Sequence, residues 1–179
     1  MTSDEILFDS YKEAIKHTNR GMFFGVIISA IIYLAANHNI IYSGVTIPIL
    51  GLNMNSKSLS MYSLSALYFY CGLYANYYYS LSLSTFSEVS DTKIKRALTF
   101  YPSLNMAGNF QSSLFAPFYL GVWYMFPKQI GIVNSQMLSM IIGTVLSFPY
   151  LMVLFNLSHE RKKYLSIRKD KAETDNIEL

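Results

Sequence analysis

The sequence predicts an all-α integral membrane protein. The expected form is a four-transmembrane-helix bundle, N-in/C-in, with an N-terminal amphipathic helix. Three observations lead there. The chain has 179 residues, 52% hydrophobic and only 14% charged, against about 25% charged in an average soluble domain. The charges cluster, so that Lys57 is the single charge in residues 21–87 and Lys128 the single charge in residues 97–159. Four charge-free windows result, 21–56, 58–87, 97–127 and 129–159, each able to hold the roughly 20 apolar residues of a spanning helix. Finally, twelve of the 14 lysines and arginines fall in three blocks, around Lys12–Arg20, Lys93–Arg96 and Arg161–Lys171. Four spans place all three blocks on the cytoplasmic side, as the positive-inside rule requires.

The chain divides accordingly into residues 1–20, a cytoplasmic amphipathic helix; 21–87, a first helical hairpin; 88–96, a cytoplasmic loop; 97–159, a second hairpin; and 160–179, a cytoplasmic tail. In the first segment Thr2 and Glu5 have capping-box spacing. Leu7, Tyr11, Ala14 and Ile15 share one face, opposite Asp9, Lys12, Glu13 and Lys16. Four acidic residues ahead of the first apolar run argue against a cleavable leader. The first span, about Gly21 to Ala36, carries Gly21, Gly25 and Ser29 at intervals of four. Such small-residue stripes let helices approach closely. Residues 37–58 form a loop in which Val45–Gly51 reads as an edge strand or short hairpin, with Pro48 confined to an edge.

The second span, about Ser60 to Phe86, is rich in tyrosine, and Tyr70 and Tyr74 lie on one of its faces. The third is the least apolar. To reach across it must recruit Asn105 and Asn109, which share a face with Ser113, and Pro117 breaks its hydrogen-bond ladder. The fourth, about Met137 to Leu157, repeats the small-residue stripe with Ser139, Gly143 and Ser147. The stripes predict helix packing and homo-oligomerisation, with a tetramer as the first expectation. Asn105, Asn109, Ser113, Tyr70 and Tyr74 form the candidate polar cavity.

No enzyme chemistry is legible. Cys71 is the sole cysteine, so no intrachain disulfide forms. His17, His38 and His159 lie in separate segments, without metal-ligand spacing. Serine and tyrosine hydroxyls are plentiful but no base accompanies them, and no phosphate-cradling glycine loop occurs. No cofactor is expected. No acidic residue falls inside a window, which argues against ion-coupled transport. Net charge is only +3, and no direct nucleic-acid contact is expected. Lys93, Lys95, Arg96, Arg161, Lys162 and Lys163 are the candidate contacts for anionic lipid headgroups or a cytosolic partner.

The leader Asp4–Arg20, the four charge-free windows and the tail Arg161–Lys171 together resemble, in size and topology, the membrane subunit of the Kiwa anti-phage defence system. That resemblance implies an oligomeric sensor in the bacterial inner membrane that recruits a separate cytosolic, DNA-binding effector. The expectation is therefore a non-enzymatic scaffold with membrane lipids, further copies of itself and an effector protein as partners. The alternative is an oligomeric channel for ions or small neutral solutes, lined by Asn105, Asn109, Tyr70 and Tyr74.

Overall fold

The structure, a computed structural model, describes residues 3–38, 46–47, 52–53, 57–100, 137–138 and 140–156. Apart from one small strand pair and the turn at residues 89–91, these residues are helical. Helix α1 spans Ser3–His38, α2 Lys57–Glu88 and α3 Thr92–Phe100; α4 covers residues 140–156. Between α1 and α2, β1 (Thr46–Ile47) and β2 (Leu52–Asn53) pair antiparallel, with Thr46 opposite Asn53 and Ile47 opposite Leu52.

Among the described residues no helix is long and apolar enough to cross a membrane. This corrects the four-span bundle, its N-in/C-in topology and the inner-membrane localisation. The physical reasons differ between helices. In α1 the apolar run starts only after Arg20, and residues 21–36 rise about 24 Å, short of a hydrocarbon core of about 30 Å. Helix α2 is long enough at 32 residues, but serines and tyrosines interrupt its aliphatic residues throughout. The expected third span lies outside the described residues.

Two element boundaries also differ from expectation. The N-terminal amphipathic segment is not a separate helix: α1 continues through Arg20 and Gly21 into the apolar run. The charged run 88–96, expected as a loop, contains the start of α3. There Asp91 acts as the N-cap, its Oδ1 accepting from the Lys93 amide at 2.7 Å and its carbonyl from the Lys95 amide at 2.8 Å. The Asp91 amide in turn donates to Asp4 Oδ2 at 2.8 Å, tying the start of α1 to this turn.

Helices α1 and α2 form an antiparallel hairpin. Tyr11 meets Phe86, His17 meets Tyr78, and Gly21 meets Ala75, so α2 numbers fall as α1 numbers rise. Two cores result. The lower one holds Tyr11, Ile15, Phe86, Val89 and Leu98, with Leu7, Phe8 and Ile94 against it. Here α3 closes the end of the hairpin. The upper one holds Met22, Ile28, Ile32, Leu64, Tyr68, Ala75 and Tyr79 from the hairpin, and Tyr150 and Val153 from α4. The small residues serve this second core. A methyl group on Gly25 would lie 2.5 Å from Cε1 of Tyr150, and one on Gly72 would lie 2.7 Å from Cε2. The fully buried ring of Tyr150 is thus wedged between the backbones of α1 and α2, and its hydroxyl donates to the Tyr68 carbonyl at 2.5 Å.

The abundant hydroxyls are accommodated within their own helices. Thr18 donates to the Ala14 carbonyl, Ser29 to Val26, Ser82 to Tyr79 and Thr85 to Leu81, all between 2.7 and 2.9 Å. A back-bonded hydroxyl needs no partner across the interface. That is how a helix as serine-rich as α2 presents a dry face to α1.

Candidate functional site

The site is assembled where the two halves of α1 meet. His17 lies on the face of α1 that turns toward α2. Its ring stacks on Tyr78, with centroids 4.6 Å apart and planes at 21°, and meets Tyr74 edge-on at 5.8 Å. The Tyr74 hydroxyl and His17 Nδ1 share a hydrogen bond. One turn earlier, Glu13 Oε1 stands 3.7 Å from His17 Nε2. A tautomer with Nδ1 accepting from the phenol and Nε2–H facing the carboxylate satisfies both contacts.

From His17 a ladder of rings runs outward along α2. Tyr70 and Tyr74 are 6.5 Å apart, Tyr74 and Tyr78 are 4.7 Å apart, and Tyr77 abuts Tyr78 edge-on at 5.2 Å. Four-residue spacing stacks the first three rungs. Tyr70 and Tyr77 are 63% and 64% exposed. The Tyr74 phenol is held above its ordinary value, first by desolvation and then by its neighbour Tyr78, with Arg20 opposing. Beside the ladder, Asp9, Lys12, Glu13, Lys16, His17 and Arg20 line an open depression of about 510 Å³. Its charges alternate in sign, and the Lys12–Asp9 pair at 3.4 Å is exposed.

The residues expected to act are dispersed. Gly21, Gly25, Ser29, Gly143 and Ser147 are all buried. Gly21 faces Ala75, a methyl group there lying 2.9 Å from its Cβ, and Ser147 Oγ lies 3.3 Å from the Tyr68 hydroxyl. These small-residue faces pack within one chain. Tyr70 and Tyr74 stand on the ladder, and Asn105, Asn109 and Ser113, expected to line a cavity with them, lie outside the described residues. So do Ser139, Arg161, Lys162 and Lys163. Lys93 is exposed. Lys95 is tied down, with Nζ 3.4 Å from the Val89 carbonyl and 5.3 Å from the Phe86 ring centroid. The side chain of Arg96 lies outside the described residues.

Among the described residues no three His, Cys, Asp or Glu side chains converge on a metal position. Burial pushes the Cys71 thiol up, away from the reactive thiolate. Sequence reading missed His17, because its partners are 57 residues away. It also missed Gly72, whose signal was available: it is the lone glycine in α2.

No protein-family model, no curated protein and no solved structure is similar to it. Function has to be argued from the site itself.

Proposed function

We propose that the chain is a non-enzymatic helical scaffold that recruits a partner protein through the tyrosine ladder and the charged depression beside it. The observation that carries this reading is the pair of exposed rings, Tyr70 and Tyr77, held in place by the rungs behind them and flanked by the Arg20 end of α1. Tyrosine and arginine are the residues that concentrate binding energy at protein interfaces, and rigid rings lose little entropy on docking. The alternating charges favour a protein surface over a nucleic acid, whose phosphates would call for a uniform row of cations. A channel reading is not carried forward, because it needs membrane spans and none is found among the described residues.

Affinity capture on the full-length chain tests the proposal, with the Tyr70→Ala/Tyr77→Ala double variant in parallel. A specific protein should copurify with the native chain and fall at least tenfold with the variant, at unchanged helicity. Equal recovery on both, or none on either, sinks the reading.

A further inference from the structure

The outer side of the first half of α1 carries an ordered set of charges. Tyr11, Ala14, Ile15, Thr18, Gly21 and Met22 of this helix are buried. Away from them stand Glu5, Asp9, Lys12, Glu13, Lys16 and Arg20. The side chains of Asp9, Glu13 and Lys12 are 61%, 75% and 35% exposed, and Lys16 and Arg20 are exposed as well. At 3.6 residues per turn the six fall within a strip about 100° wide, opposite the buried one. Their signs are antisymmetric about the midpoint between Lys12 and Glu13: Asp9 answers Lys16, Glu5 answers Arg20, and Lys12 answers Glu13. Asp4 lies off this strip and accepts from the Asp91 amide. Within one helix this order is unfavourable. Asp9 and Glu13, Lys12 and Lys16, and Lys16 and Arg20 are like charges four residues apart, a spacing that destabilises a helix. The exposed Asp9–Lys12 contact at 3.4 Å offsets only part of that. Nor does the helix dipole call for it, since its effect is confined to the first and last turns and α1 runs on to His38.

From this antisymmetry we infer that the strip docks, antiparallel, on the same strip of a second copy of this chain. Charge complementarity selects that occupant. A two-fold axis through the midpoint between Lys12 and Glu13 sets Asp9 level with Lys16 of the other copy, Lys12 level with Glu13, and Glu5 level with Arg20. Each pair then occurs twice, as a self-complementary contact demands. The like charges that crowd one another along a single helix each gain an opposite charge across the axis. Phe23, Phe24 and Ile27, which continue the outer side, fall past the start of the partner's helix at Ser3 and oppose none of its charges. For its consequence the inference rests on the recruiting reading: it gives the charged half of that surface to a second copy and leaves the rings to the recruited protein. A two-fold across α1 keeps each flank on its own side, so both ladders, which begin at His17, emerge on the same side of the pair. A target with two epitopes would be held by two ladders at once.

Light scattering on the full-length chain tests the pairing, with two charge-reversed variants, Lys12→Glu/Lys16→Glu and Asp9→Lys/Glu13→Lys. Complementary charges confer specificity and salt dependence more than tightness. The native chain should have twice the monomer mass at about 100 μM protein in about 20 mM salt. It should return to the monomer mass at about 1 M salt, where the screening length is about 3 Å. Each variant alone should keep native helicity and associate at least about tenfold more weakly. Mixed in equal parts the two should pair again, because every reversed charge then meets its opposite. A second arm decides the matter if the reversals disturb folding. In a Cys71→Ser background, Lys12→Cys, next to the axis, should cross-link between copies on mild oxidation, and Ser80→Cys should not. The Tyr70→Ala/Tyr77→Ala variant should stay paired, so pairing and recruitment can fail separately. A monomeric native chain in low salt overturns the inference. So does native-strength pairing of either reversed variant, a mixture of the two folded variants that stays monomeric, absence of cross-linking from Lys12→Cys, or loss of pairing in the ladder variant.

Discussion

The two ends of the α1–α2 hairpin solve the same packing problem in opposite ways. At the lower end large meets large: Tyr11 and Phe86 face each other at 6.0 Å between ring centroids, and α3 is added as a lid. At the upper end large meets nothing: glycines on both helices leave a slot, and one ring from α4 fills it. The lower arrangement can absorb a change by shifting side chains. The upper one cannot, because two of its walls are backbone. Sensitivity to substitution should therefore be steeply uneven along a single pair of helices.

The largest effect should come from Tyr150→Ala, which empties the slot and removes the second donor to the Tyr68 carbonyl. A loss of about 3–5 kcal/mol is expected from such deletions, measured by chemical denaturation. Tyr11→Leu at the other end should cost less than half as much. Comparable losses at both ends would break the contrast. Next is Gly25→Ala, where the added methyl meets the ring at 2.5 Å. Overpacking of this kind costs about 1–3 kcal/mol, and the thermal midpoint should drop accordingly.

A pH experiment sharpens the same comparison. Burial holds the Tyr68 phenol well above its ordinary value of about 10, and the bond to Ser147 only partly offsets this. The folded state thus keeps this proton at a pH where the unfolded chain has released it. The stabilising difference is full below about pH 10 and is lost as pH rises toward the folded value. Stability should decline on the alkaline side, and Tyr68→Phe should flatten that limb. An unchanged alkaline limb in the variant would remove Tyr68 as its cause.

Smaller effects belong to the lower end. Asp91→Ala removes the cap of α3 and should cost about 1 kcal/mol, seen as faster amide exchange in residues 93–95. Lys12→Ala breaks an exposed pair with Asp9 and the cation–π contact of its Nζ with the Phe8 ring, 4.0 Å from the centroid, and should cost no more than about 1 kcal/mol.

Much of this architecture was legible in the residues, though not its setting. Charge-free windows mark where helices run, and the small residues Gly21, Gly25, Ser29, Gly143 and Ser147 are buried. The strand pair around Pro48 was legible from its β-branched residues. The same windows misled on the membrane, because counting charges ignores hydroxyls. In α2 the serines and tyrosines lower the hydropathy as surely as charges would, while back-bonding hides them from the packing. Arg20 was read as a boundary between helices, yet an exposed arginine does not interrupt a helix. Of the candidate site, the tyrosines were visible as a run. Their anchoring by His17 was not, since no local pattern encodes a contact between residues so far apart in sequence.

The slot around Tyr150 has one more consequence, for motion. An aromatic ring turns over by sweeping its edges through the space beside it. With Gly25 on one side and Gly72 on the other, the edges of this ring have only main chain to sweep into, so a half-turn requires the two helices to part. Its flip rate should therefore report how often the three-helix junction opens. In a nuclear magnetic resonance spectrum the two edges of Tyr150 should give separate signals at room temperature, whereas the exposed rings of Tyr70 and Tyr77 average theirs on the nanosecond scale expected of surface side chains.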